Sequence, residues 1–114
     1  MKPSIRAEYR RYIELAKSQI SRCELDGAFQ SLEMAHVLGQ RDTLAHTRSH
    51  LMMLKVGYLK GDYREVLGQI TRSIAALLFS KIWVPRGNTG GSNVNPFKPM
   101  PIPSELKKIM GDRS

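Results

Sequence analysis

Gly61-Asp62-Tyr63-Arg64-Glu65-Val66-Leu67-Gly68-Gln69-Ile70-Thr71-Arg72-Ser73-Ile74-Ala75-Ala76-Leu77-Leu78 is the stretch that decides the fold class. Asp62 and Glu65 have capping-box spacing, in which each end residue satisfies a free backbone N–H of a starting helix. Val66, Ile70, Ile74, Leu77 and Leu78 then recur at helical steps. Gly61, just upstream, is a natural stop for a preceding helix. One helix ends and another begins within a few residues, which predicts an antiparallel hairpin.

The same pattern extends toward the N-terminus. A helix starting near Ser4 carries Ile5, Tyr9, Ile13, Ala16 and Ile20 on one face and Arg6, Arg10, Glu14 and Lys17 on the other. A second, from about Asp26 to Leu38, buries Ala28, Leu32 and Ala35, with Gly39 as a left-handed stop. A third, capped by Asp42 or Thr43, runs to about Lys60 with Leu51, Leu54 and Tyr58 as its stripe. The turns at Cys23-Glu24 and Gly61-Asp62 look alike, at a spacing near the period of tetratricopeptide repeats. No alternating run suggests a sheet. The chain is therefore expected to be all-α: a four-helix antiparallel array of two helical hairpins, tetratricopeptide-like, with a Pro/Gly-rich C-terminal extension. Its expected core is Tyr9, Ile13, Ala16, Leu32, Ala35, Leu51, Leu54, Val66, Ile70, Ile74 and Leu77.

Residues 1–83 read as the helical domain and 84–114 as the tail. Five of the six prolines lie between Val84 and Pro103, which excludes regular helix or strand there. Phe97, Met100 and Ile102 are expected to anchor this tail on the helices or on a partner. Ser104 is expected to cap a last short helix ending near Met110.

Composition narrows the class. An apolar share of 41% fits a globular chain, and a single cysteine, Cys23, excludes an internal disulfide framework. The longest apolar run, Ile74 to Phe79, is too short for a membrane span, and the charged N-terminus lacks a signal-peptide core. A cytoplasmic protein with no membrane partner is expected. The net charge of +8 raises nucleic acid as a partner, but the basic residues are spread from Lys2 to Arg113 without a dense patch. A protein partner or a homo-oligomer ranks ahead of it.

Ala35-His36-Val37-Leu38-Gly39-Gln40, Gly87-Asn88-Thr89-Gly90-Gly91 and Pro96-Phe97-Lys98-Pro99-Met100-Pro101 together resemble a small bacterial family, domain of unknown function 3703. The resemblance covers the chain from about Tyr12 to Leu106. It implies no activity.

The residues with chemical potential are the three histidines, His36, His46 and His50. His46 and His50 are one helical turn apart and share a face; Glu33 and His36 share a face of the preceding helix. Folding the hairpin about Arg41 sets His36 opposite His46 and Glu33 near His50. Glu33, His36, His46 and His50 thus form a candidate ligand set for one divalent transition metal, with zinc, iron or nickel preferred over calcium by the nitrogen donors. The competing reading is a polar seam, with Glu33 bonded to a histidine or to Arg48 and the helices serving only as an interaction module.

An enzyme is not expected. Thr47, not glutamate, follows His46, so the His-Glu-x-x-His pattern is absent. Cys23 lies in a turn without a paired base. The Gly87–Gly91 segment leads to Pro96 and not into a helix, unlike a phosphate-binding loop. Met34, Met52 and Met53 read as flexible core filling, not as a copper(I) set.

Overall fold

The computed structural model describes residues 1–79 and 99–111, and places them in five helices. These are α1 (Pro3–Ser21), α2 (Leu25–Gly39), α3 (Thr43–Lys60), α4 (Tyr63–Phe79) and α5 (Ser104–Met110). No strand occurs among the described residues. Residues 80–98, including Phe97 and the Gly87–Gly91 motif, lie outside them.

α1 packs along α2, and α3 along α4, giving the two expected hairpins; α2 against α3 joins them. α1 begins one residue before the expected cap: Lys2 is the N-cap, and Pro3 takes the first turn, where its missing N–H costs nothing. Asp42 caps α3, its Oδ1 accepting from the Ala45 N–H at 2.9 Å. Asp62 does the same for α4, accepting from the Glu65 N–H at 3.1 Å.

Both hairpin turns are the same motif. After α1, the Glu24 N–H reaches Gln19 O at 2.8 Å and the Cys23 N–H reaches Ile20 O at 3.0 Å. After α3, the Asp62 N–H reaches Gly57 O at 2.9 Å and the Gly61 N–H reaches Tyr58 O at 3.1 Å. These are Schellman turns, each with one left-handed residue: Gly61 at φ 75° and Cys23 at φ 58°. Gly39 differs from expectation. It is the last residue of α2, followed by Gln40 in right-handed helical conformation. Its value is its size: a Cβ there would lie 2.9 Å from both the Ala45 Cβ and the Tyr9 Cε2. Three helices meet at that point, and the Tyr9 hydroxyl donates to the Ala45 carbonyl at 2.9 Å.

The core holds Tyr9, Ile13, Ala16, Leu32 and Ala35 as expected, with Ala28, Val37, Leu38, Met53 and Val56. Ile102 and Leu106, before and within α5, close it against α1 and α2; Met100 is half-buried.

The core assignment fails on the second hairpin. Leu51, Ile70, Ile74 and Leu77 are exposed, at 52, 44, 57 and 56%, while Leu54 and Val66 are only half-buried. α4 instead buries Glu65, Gln69, Ser73 and Ala76. The cause is on the facing helix. α3 turns His46, Ser49 and His50 inward, and buried polar groups need hydrogen-bond partners that leucine and isoleucine cannot supply. α4 has two faces at helical period, and the polar one is the one used.

Candidate metal centre

Three elements build the centre. α2 supplies His36 from its last turns, α3 supplies His46 and His50 one turn apart, and α4 supplies polar support from behind. The Asp42 cap and the Tyr9 bond to Ala45 fix the first turn of α3, which sets the direction of His46.

The three side chains are buried, at 2, 8 and 3% exposure for His36, His46 and His50. Their Nε2 atoms form a nearly equilateral triangle. The edges are 3.0 Å for His46–His36, 3.1 Å for His36–His50 and 3.2 Å for His50–His46. The rings meet edge-on or tilted, with centroids 4.6–4.9 Å apart.

That triangle cannot be satisfied by protons on neutral rings. A neutral imidazole nitrogen either donates or accepts, never both. Among three mutually adjacent atoms, two must therefore be of the same kind, so one edge always sets donor against donor or lone pair against lone pair. A cation at the common centre removes the conflict, because all three nitrogens then present lone pairs to it.

The support on α4 selects that state for His50. The Gln69 Nε2 donates to the Glu65 carboxylate at 3.2 Å, which orients the amide. Its Oε1 then accepts from the His50 Nδ1–H at 2.6 Å. A neutral ring with its proton on Nδ1 has a bare lone pair on Nε2. Neutrality is favoured: burial lowers His50 to about 4, opposed by the Gln69 bond and reinforced by the Arg72 charge. Burial, then the charge of His50, lowers His46 to about 3. His46 Nδ1 is buried with no hydrogen-bond partner among the described residues.

The size of the triangle suits a first-row metal. At zinc–nitrogen distances of ~2.0–2.1 Å, three nitrogens span edges of roughly 3.3 Å in a tetrahedron and 2.9 Å on an octahedral face. The observed edges of 3.0–3.2 Å lie between these. His36, His46 and His50 would hold such a cation through their Nε2 lone pairs.

Glu33 is placed elsewhere. It is half-buried and lines a cleft with Asp26, Lys60, Asp62 and Glu65, and it is not among the groups that converge. Of the two α2 candidates, His36 alone belongs to the converging group. Sequence reasoning missed Gln69 and Glu65. Their signal was present as the polar series Glu65, Gln69, Ser73 at four-residue steps on α4, hidden beside a stronger apolar stripe. Cys23 is exposed in its turn, on a different hairpin end from the histidines.

Fold and centre together define a class: an all-α protein of two helical hairpins with a buried histidine triad at their junction. The chain belongs to the family described as protein of unknown function (DUF3703), whose model matches residues 3–110. No curated protein and no solved structure matches it.

Proposed function

We propose that this protein binds one divalent transition metal through His36, His46 and His50, and that its role is storage, sensing or delivery in the cytoplasm, not turnover. The observation that carries this is the triangle of three buried Nε2 atoms at 3.0–3.2 Å, which neutral rings cannot satisfy among themselves. Zinc, iron and nickel all accept three imidazoles, and the all-nitrogen set disfavours calcium. Glu33, the fourth candidate from the sequence, is left out of the ligand set because it is not among the groups whose ligand atoms converge.

A binding role agrees with the surroundings. The Glu65 carboxylate is tied to Gln69, behind the His50 ring and away from Nε2, so it is not placed as a general base beside the triad. No helix among the described residues is long and apolar enough to cross a membrane.

The test is metal analysis of protein purified without a histidine tag, followed by reconstitution of the chelator-stripped protein with zinc or cobalt(II). One equivalent per chain is expected, with a cobalt visible spectrum that reports tetrahedral or octahedral geometry. Protein that takes up no metal at micromolar zinc would sink the proposal.

A further inference from the structure

The second hairpin carries an apolar face that the other described residues do not cover. On α4, Leu67, Ile70, Ile74 and Leu77 follow one another at three- and four-residue steps and are 44–67% exposed. On α3, Leu44 and Leu51 lie one heptad apart at 77 and 52% exposure. The two stripes are continuous, since Leu44 and Leu77 line one shallow depression with Thr43 and Leu78. Within the described residues α4 packs chiefly on α3. Soluble monomers rarely expose a contiguous apolar patch above a few hundred Å².

We propose that this face is the contact between two copies of this chain, which pair α3 and α4 of one protomer against α3 and α4 of the other in a four-helix arrangement. Two observations choose a second copy as occupant. The first is area: with Tyr58, Leu59, Tyr63 and Leu78 also 48–69% exposed around the stripe, ten side chains at roughly 100 Å² each leave about 1,000 Å² open per protomer. A stable pair needs about 800 Å² per partner. The second is shape. An antiparallel helix pair with an apolar stripe along its full length is self-complementary about a two-fold axis, so residue i meets residue j and j meets i. The α4 stripe holds no charged side chain, whereas on α3 Arg48 and Lys55 alternate with Leu44, Leu51 and Tyr58, so like charges approach each other in the pair and salt strengthens it by screening them. The metal centre lies on the opposite, buried faces of the same helices, so this proposal does not depend on metal binding.

The test is sedimentation equilibrium on the full chain from about 1 to 100 µM, at low and at moderate salt. A two-chain mass is expected, held or strengthened by added salt. Ile70→Glu with Ile74→Glu is expected to weaken association at least ~100-fold, because two carboxylates would be buried at the centre. Leu51→Glu on α3 is an independent second variant. Both keep their helical circular dichroism, since these side chains are exposed in the protomer. A one-chain mass at every concentration overturns the proposal. That holds equally if residues 80–98 of the same chain cover the face, or if only an acidic protein partner does, with a complex that salt weakens.

Discussion

His50 donates its Nδ1 proton to Gln69 Oε1 across 2.6 Å, and this contact joins two helices that otherwise present unlike surfaces. It explains why α4 lies polar side inward. The Glu65–Gln69–His50 chain runs from a carboxylate to the back of an imidazole whose Nε2 faces two other imidazoles. Each member sets the next: the carboxylate orients the amide, the amide selects the tautomer, and the tautomer leaves a lone pair at the centre.

Gln69→Leu removes the acceptor for His50 and the donor for Glu65 at once. Metal affinity is expected to fall ~10–100-fold, the usual cost of losing a group that orients a ligand histidine. Gln69→Glu keeps an acceptor for Nδ1–H and should retain most of the affinity. Competition against a chelator of known strength measures both. Equal losses in the two variants would show that Gln69 matters only for packing.

Replacing any one of His36, His46 or His50 by alanine should abolish stoichiometric binding, because two nitrogens do not hold a first-row metal with three-point geometry. Glu33→Gln should leave the stoichiometry unchanged, as its carboxylate lies in the cleft with Asp26 and Lys60. Isothermal titration with zinc decides. Loss of binding in Glu33→Gln would restore that residue to the ligand set.

Stability of the metal-free protein should depend on pH in a definite direction. His46 and His50 titrate at about 3 and about 4 in the fold, below the ordinary 6.5. The unfolded chain therefore takes up protons that the folded chain refuses. Above about pH 6.5 the two residues contribute no pH dependence. Below it each costs up to ~1.4 kcal/mol per pH unit until its folded value is reached. The melting temperature of chelator-treated protein should fall steeply from pH 6.5 toward pH 4. A flat profile over that window would mean that the histidines are not buried neutral.

Cys23→Gly should stabilise the fold by about 0.5–1 kcal/mol. The residue sits at φ 58° in a Schellman turn, where a side chain is strained and glycine is not. It is exposed, so no packing is lost. The same change should leave metal uptake intact. Urea unfolding reads the first effect, and a decrease in stability would contradict the turn assignment.

Gly39→Ala should do the opposite. The added methyl would meet the Ala45 Cβ and the Tyr9 ring at 2.9 Å, and relieving that overlap costs ~1–3 kcal/mol. Tyr9→Phe, which only deletes the donor to the Ala45 carbonyl, should cost about 1 kcal/mol. Thermal melts of the two variants distinguish a steric from a polar contribution at this junction.

Much of the architecture was legible in the residues. Asp42 and Asp62 announced two helix starts, Gly61 a stop, and Tyr9, Ile13 and Ala16 the buried side of α1, because caps, left-handed turns and helical period act over a few residues. The clustering of His36, His46 and His50 was legible too, since a short turn and one helical step bring them to one level. Glu33 was expected beside His50, whereas the converging group holds only the three histidines, because where a side chain one turn away falls depends on tertiary packing that no local pattern encodes.

The sequence by itself determined where the helices lie, that they pair as hairpins, and that α4 has two opposed faces. Only the tertiary structure decided which of those faces turns inward. Leu67, Ile70, Ile74 and Leu77 form the stronger stripe, yet they are exposed, and Glu65, Gln69 and Ser73 are buried. Burial of an apolar side chain is non-directional and can be met by any apolar surface, including another chain. The inward nitrogens of α3 require donors and acceptors at fixed distances, and only the polar face of α4 supplies them.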